Sequence, residues 1–333
     1  MPPYVFPNLA RTALRAARTP SSFASRYAYR RVSTLPCFTL EGKICVVTGA
    51  SQGLGKEILT AFSRSGAHGA VVDLSMDSAQ KSVESMNAEV KESGLPPADL
   101  RPYECNTADE EAVKKTFDQI VKDFGRVDVV CTNGKSQSES WRIAEDTDQL
   151  QLGLLVAPLL RTTHTRCVAS TLTVRHKHAE LNPEKQEWKQ MLDVNLNGTF
   201  LFARAAGKHM IEKDIKGSII VVSSMSGRIV NRPQKQSAYN TAKAGTAMMM
   251  KSLAAEWGEH GIRVNAMSPG YIQTAANEGE EMKELSKKWV EMIPLGRIAK
   301  PEEFRGTAVY LASDASTYLT GAEVVVDGGY TIW

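Results

Sequence analysis

Tyr239 and Lys243 stand four residues apart in the run Ser237-Ala-Tyr-Asn-Thr-Ala-Lys-Ala-Gly245. On a helix that spacing puts the ammonium beside the phenol on one face. A fixed positive charge favours the phenolate and lowers a pKa that starts near ~10. A tyrosine tuned in this way can take a proton from an alcohol or give one to a carbonyl. By itself the pair says little, because Tyr-x-x-x-Lys arises by chance on many exposed helices.

A second device lies near the start. Lys43-Ile-Cys-Val-Val47 is a short apolar, β-branched run that reads as a buried strand. It flows into Thr48-Gly-Ala-Ser-Gln-Gly-Leu-Gly55 and then a helix-like stretch from Lys56 to Arg64. Strand, glycine turn and helix together form the setting in which a pyrophosphate rests on a helix N-terminus. Gly49, Ser51, Gly53, Leu54 and Gly55 are the expected phosphate-side contacts. A further apolar run, Gly69-Ala-Val-Val72, ends in Asp73, 18 residues beyond Gly55. A carboxylate there suits the ribose hydroxyls of NAD. The competing explanation is a generic glycine turn with an unrelated surface aspartate.

Thr-Gly-x-x-x-Gly-x-Gly together with Tyr-x-x-x-Lys resembles the short-chain dehydrogenase/reductase family. The likeness extends over roughly 41–134 and 181–333. Asn195, in Asp193-Val-Asn-Leu-Asn-Gly-Thr-Phe200, is similar to the family's helix asparagine. The strand Gly217-Ser-Ile-Ile-Val-Val-Ser-Ser224 ends where the family's catalytic serine belongs, with Ser226 a second candidate. Arg263-Val-Asn-Ala-Met-Ser-Pro-Gly270 resembles the strand and turn flanking the nicotinamide. The resemblance implies one Rossmann-like α/β domain, a doubly wound parallel sheet with helices on both faces. It implies catalysis by Asn195, Ser224, Tyr239 and Lys243, with Asn195 holding a water and Lys243 also binding the nicotinamide ribose. It further implies cofactor contacts from Asn106, Asn133, Pro269, Gly270, Ile272 and Thr274. The stretch Ser223 to Asn240 and the terminal Gly-Gly-Tyr-Thr-Ile-Trp resemble fungal polyol dehydrogenases and sugar reductases. That likeness implies oxidation of a polyol to a ketose, of the D-arabinitol to D-ribulose type, with NAD. An NADPH-linked L-xylulose, sorbose or carbonyl reductase is the alternative, and Asp73 argues against it by repelling a 2′-phosphate. A catalytically disabled NAD-binding protein is the alternative of another class. The family implies a homotetramer or homodimer.

Alternation of strand-like and helix-like segments independently argues for one α/β domain. Residues 1–40 carry six arginines and no Asp, Glu or Lys, so the chain's net charge of +3 conceals a mildly acidic remainder. Such a body has no electrostatic footprint for nucleic acid. No apolar run reaches the ~18–20 residues that span a bilayer. The first 40 residues have the composition of a disordered mitochondrial presequence, with cytoplasmic residence as the alternative. Five cysteines, 37, 45, 105, 131 and 167, show no ligand spacing and read as reduced thiols. No metal site is expected.

Two departures from the family pattern stand out. Asn106 occupies the place of an aspartate, and Asn133-Gly134 lacks the alanine of the usual Asn-Ala-Gly turn. Residues 135–180 match nothing in the family. They read as a retained intron, since Gly134-Lys-Ser136 can be encoded with the donor sequence GTAAGT, or as a surface insertion, whose closure entropy is small. A metal site built from His164, Cys167, His176 and His178 has no standard spacing. Omitting 1–40 and 135–180 leaves roughly 250 residues, an ordinary domain size.

Overall fold

The computed structural model describes residues 35–134, 185–273 and 280–333. The expectations for the presequence and the insertion lie outside these residues or largely so. The described chain runs β1 (Ile44–Thr48), α1 (Gly53–Arg64), β2 (His68–Asp73), α2 (Met76–Glu92), β3 (Leu100–Glu104), α3 (Glu110–Phe124) and β4 (Val129–Thr132). It continues with α4 (Lys185–Leu192), a π-helical turn (Asp193–Asn197), α5 (Gly198–Glu212), β5 (Ser218–Val222), α6 (Ser237–Trp257), β6 (Arg263–Pro269), α7 (Glu280–Met292), α8 (Arg305–Ala312) and β7 (Glu323–Val326).

All seven strands pair in parallel in the order β3-β2-β1-β4-β5-β6-β7. The order reverses between β1 and β4, and a ligand crevice opens at such a switch point beyond the carboxyl ends of the strands. The expected doubly wound sheet is therefore the observed one. Every residue of β1 is buried, as a strand covered on both faces must be. Its side chains alternate between two cores. Cys45 and Val47 join Ile58, Phe62, Met86 and Leu311 on one face. Ile44 and Val46 join Phe117, Phe202, Met210 and Met250 on the other. Burial pushes the thiols of Cys45 and Cys131 up from their usual value, so both remain protonated at neutral pH.

The second core contains a titratable group. His209, buried on α5, accepts the Val127 N–H on Nε2 at 3.2 Å and meets Phe117 edge-on. Burial, helped by Lys213, lowers its pKa. An imidazolium has no lone pair for that N–H, so folding requires the neutral ring. The unfolded chain takes up this proton first, near pH ~6.5, and stability falls as pH drops below that point. Urea midpoints should decline between neutrality and mild acid, and His209→Gln, which keeps an acceptor but cannot titrate, should flatten part of that decline. An identical decline in the variant would remove His209 as a cause.

Among the described residues no helix is long and apolar enough to cross a membrane. Nor do three or more His, Cys, Asp or Glu side chains gather there as metal ligands.

Candidate active site

β1 delivers the chain into a turn that only glycine can make. Gly49 and Gly53 have φ of +63° and +54°, values that L side chains rarely adopt. At Gly55 the constraint is space: a Cβ would stand 2.3 Å from the Gly49 carbonyl oxygen and 2.6 Å from Asn133 Nδ2. Asn133, just past β4, braces the turn. Its N–H donates to Thr48 Oγ1 at 2.9 Å and its Nδ2 donates to the Gly49 carbonyl at 3.3 Å. The asparagine thus holds the turn although the following alanine is missing. In the alanine's place, a Cβ on Gly134 would stand 2.9 Å from the Val194 carbonyl oxygen.

The end of α1 nearest this turn is built to meet an anion. Gln52 makes no side-chain cap, and no acid occupies the first turn. By contrast, α2 and α3 are capped by Ser75 and Asp109, with acids in their first turns. An uncapped N-terminus keeps its N–H donors and positive dipole end for a ligand phosphate. Asp73 at the end of β2 accepts the N–H of Ser51 at 3.0 Å and that of Leu74 at 2.8 Å. The residues of this corner fit a dinucleotide. Asn106 differs: it is exposed, and its Oδ1 is engaged locally by the Ala108 N–H at 3.1 Å.

Beyond the strand ends, one pocket gathers Leu54, Asn133, Ser224, Tyr239, Lys243 and Ile272, with Pro269 and Gly270 in its lining. Tyr239 and Lys243 share a face of α6. The Lys243 ammonium, 3% exposed as a residue, lies 5.5 Å from the Tyr239 ring centroid and donates to the Val222 carbonyl at 3.1 Å. Ser223 Oγ donates to the Lys243 carbonyl at 3.0 Å, tying the end of β5 to α6. Ser224 and Ser226 both line the pocket. Ser224 Oγ accepts the Ser226 N–H, whereas Ser226 Oγ is bound by Gln236 Nε2 at 3.0 Å. Met248 and Met249 are not in the pocket lining, and Met250 is core.

Asn195 sits in the π-helical turn between α4 and α5, a kind of irregularity often found at functional sites. Its Nδ2 donates to the Met191 carbonyl at 3.2 Å, while its Oδ1 is buried with no hydrogen-bond partner among the described residues. The turn packs against α6, the helix of Tyr239 and Lys243. Ile272 pairs with Ala299 in an isolated bridge beside the pocket. Thr274 lies outside the described residues.

Gln234, Gln236, Tyr271 and Trp289 are among the pocket residues to which the sequence assigned no role. Tyr271 follows the Pro-Gly turn directly, and its neighbour Ile272 is an expected contact. Leu285 and Trp289 are four apart on α7, spacing that signals only a core face. Burial holds the Tyr271 phenol above its usual pKa, so it remains an O–H group.

Comparison with known proteins agrees with this geometry. A family model described as short chain dehydrogenase matches residues 43–149, and one described as enoyl-(acyl carrier protein) reductase matches 165–331. The chain is 35% identical over 302 residues to a sorbose reductase of Candida albicans, covering 90% of each protein. It is 34% identical over 298 residues to an NADP-dependent mannitol dehydrogenase of Alternaria alternata, covering 89% of this chain and 94% of that protein. A ribulose-forming D-arabinitol 2-dehydrogenase of Candida tropicalis is 34% identical over 318 residues, covering 93% and 99%. Among solved structures, a short-chain type dehydrogenase/reductase from Mycobacterium marinum superposes with a TM-score of 0.71 at 32% identity, covering 90% of this chain and 99% of that one.

Proposed function

The chain belongs to the short-chain dehydrogenase/reductase family of oxidoreductases, and on that footing we propose that it interconverts an acyclic polyol and its ketose with NAD. The observation that carries the reading is the convergence of Ser224, Tyr239 and Lys243 in one pocket beside the glycine turn. Relatives named for sorbose, mannitol and D-arabinitol support the substrate class. NAD, when bound, supplies the hydride acceptor. The glycine turn, the α1 N-terminus and Asp73 would hold it, with Pro269, Gly270 and Ile272 beside its reactive end. Tyr239 takes the proton of the substrate hydroxyl. Before that transfer Lys243 stabilises the Tyr239 phenolate, which becomes a neutral phenol on accepting the proton, and Ser224 polarises the reacting oxygen. Asn195 Oδ1 is the acceptor for a water that links Lys243 to solvent.

Cofactor choice is the point of contention, because some relatives are named NADP-dependent. The carboxylate of Asp73 favours NAD. The test is direct: mix the purified full chain with NAD or NADP and a panel of pentitols and hexitols, follow reduced cofactor by absorbance, and identify the product. A ketose formed with NAD supports the reading. No turnover of any polyol with either cofactor would end it.

A further inference from the structure

Gln234 lines the pocket with Ser224 and Tyr239, yet proton transfer has no use for an amide. Both ends of that amide are held. Its Oε1 accepts the Trp289 indole N–H at 3.1 Å, and its Nε2 donates to the Tyr271 hydroxyl at 2.8 Å. Because an indole nitrogen only donates, the oxygen must face Trp289, and the amide has a single orientation. The two holders are fixed in turn. Tyr271 and Trp289 stack with centroids 3.9 Å apart and planes 9° apart, and Trp289 is 1% exposed. Asn231 Nδ2 also donates to the Tyr271 hydroxyl at 3.3 Å, and Gln236 Nε2 donates to Asn231 Oδ1 at 2.7 Å. This is a connected polar scaffold with Gln234 on its pocket side.

A primary amide offers two N–H donors and two acceptor lone pairs. After the bonds to Trp289 and Tyr271, Gln234 retains one of each among the described residues. A hydroxyl both donates and accepts, so it complements that pair. An amide already locked in place also loses little freedom on binding. We propose that Gln234, held by Trp289 and Tyr271, recognises a second hydroxyl of the substrate and so selects polyols over simple secondary alcohols. The inference rests on the polyol reading above. A substrate without the second hydroxyl leaves the remaining donor and acceptor desolvated and unpaired, which is how a polar pocket rejects a deoxy analogue. Trp289 is a positioning residue in this scheme.

The full chain is assayed with NAD on D-arabinitol and on pentan-3-ol, with reduced-NAD affinity measured alongside. For Gln234→Leu, kcat/KM on D-arabinitol should fall roughly 10- to 100-fold, the loss of one paired polar group. Pentan-3-ol turnover and cofactor affinity should change less than about threefold, since neither uses that pair. Trp289→Phe keeps the stack but loses the indole N–H, and should raise KM for D-arabinitol more than it lowers kcat. This second variant decides the matter if Gln234→Leu does not fold. Wild-type inactivity on pentan-3-ol would agree with the proposal, leaving the selective loss on D-arabinitol at unchanged cofactor affinity as the deciding result. Unchanged D-arabinitol oxidation in the variants, or equal losses on both alcohols, overturns the role of Gln234 and leaves the polyol reading intact. A wild-type enzyme that oxidises pentan-3-ol but no polyol overturns both.

Discussion

Tyr239→Phe is expected to cut turnover by on the order of 10²–10⁴-fold while leaving cofactor binding close to wild type. The substitution removes one oxygen and keeps the ring, so the packing of α6 against the pocket persists. The lost atom is the only one on that side chain able to carry a proton. General acid–base catalysis by a placed side chain contributes on the order of 10²–10⁴ in rate, and the loss should fall in that range. Lys243→Ala should behave differently. Its ammonium is buried, donates to the Val222 carbonyl and lies 5.5 Å from the Tyr239 ring centroid. Removing it takes the charge from beside the phenol and a cation from the expected ribose contact, so turnover and cofactor affinity should fall together. Steady-state rates and fluorescence titration with reduced cofactor separate the two patterns. A Tyr239→Phe enzyme oxidising its substrate within tenfold of wild type would exclude the tyrosine as proton carrier.

The parts of this site that sequence made legible are local ones. Gly49 and Gly53 are dictated by backbone angle and Gly55 by the closeness of the Gly49 carbonyl six residues before it, and Tyr239 and Lys243 meet through helical spacing alone. Strands β1 and β2 announce themselves as apolar runs because a doubly covered sheet needs them, whereas β5 and β6 are placed by their resemblance to the family's strands. The substrate wall is another matter. Gln234 comes from the loop after β5, Tyr271 from the end of β6 and Trp289 from α7, and only the tertiary fold brings them together. No periodicity marks a glutamine whose two ends are claimed by residues 37 and 55 positions away. Asn195 was recognisable by its surroundings, but its place in a π-helical turn was not. An extra residue in a helical turn leaves no trace in composition. Asn106, an expected cofactor contact by its position in the chain, accepts the Ala108 N–H on its side-chain oxygen, which leaves its Nδ2 group as the donor.

Asp73 should decide the cofactor, and two substitutions separate its two jobs. Its carboxylate takes the Ser51 and Leu74 N–H groups, so it shapes the phosphate turn as well as carrying charge. Neither 51–55 nor 73–77 contains a basic residue, and the Ser75 hydroxyl is committed to capping α2. A 2′-phosphate placed here would face a carboxylate with no nearby cation from these segments. Two unit charges about 4 Å apart near a protein surface repel by roughly 4 kcal/mol, which corresponds to about a thousandfold. Wild type should therefore prefer NAD by at least about 100-fold in kcat/KM, allowing for solvent screening. Asp73→Asn removes the charge and keeps an oxygen for the Ser51 N–H, so NADP use should rise steeply with little loss of thermal stability. Asp73→Ser removes charge and reach together. It should gain NADP use as well, but with weaker binding of both cofactors because the turn loses its anchor. Paired kcat/KM values for NAD and NADP, with melting temperatures, distinguish these outcomes. A wild-type enzyme as efficient with NADP as with NAD would show that the charge at Asp73 does not govern the choice.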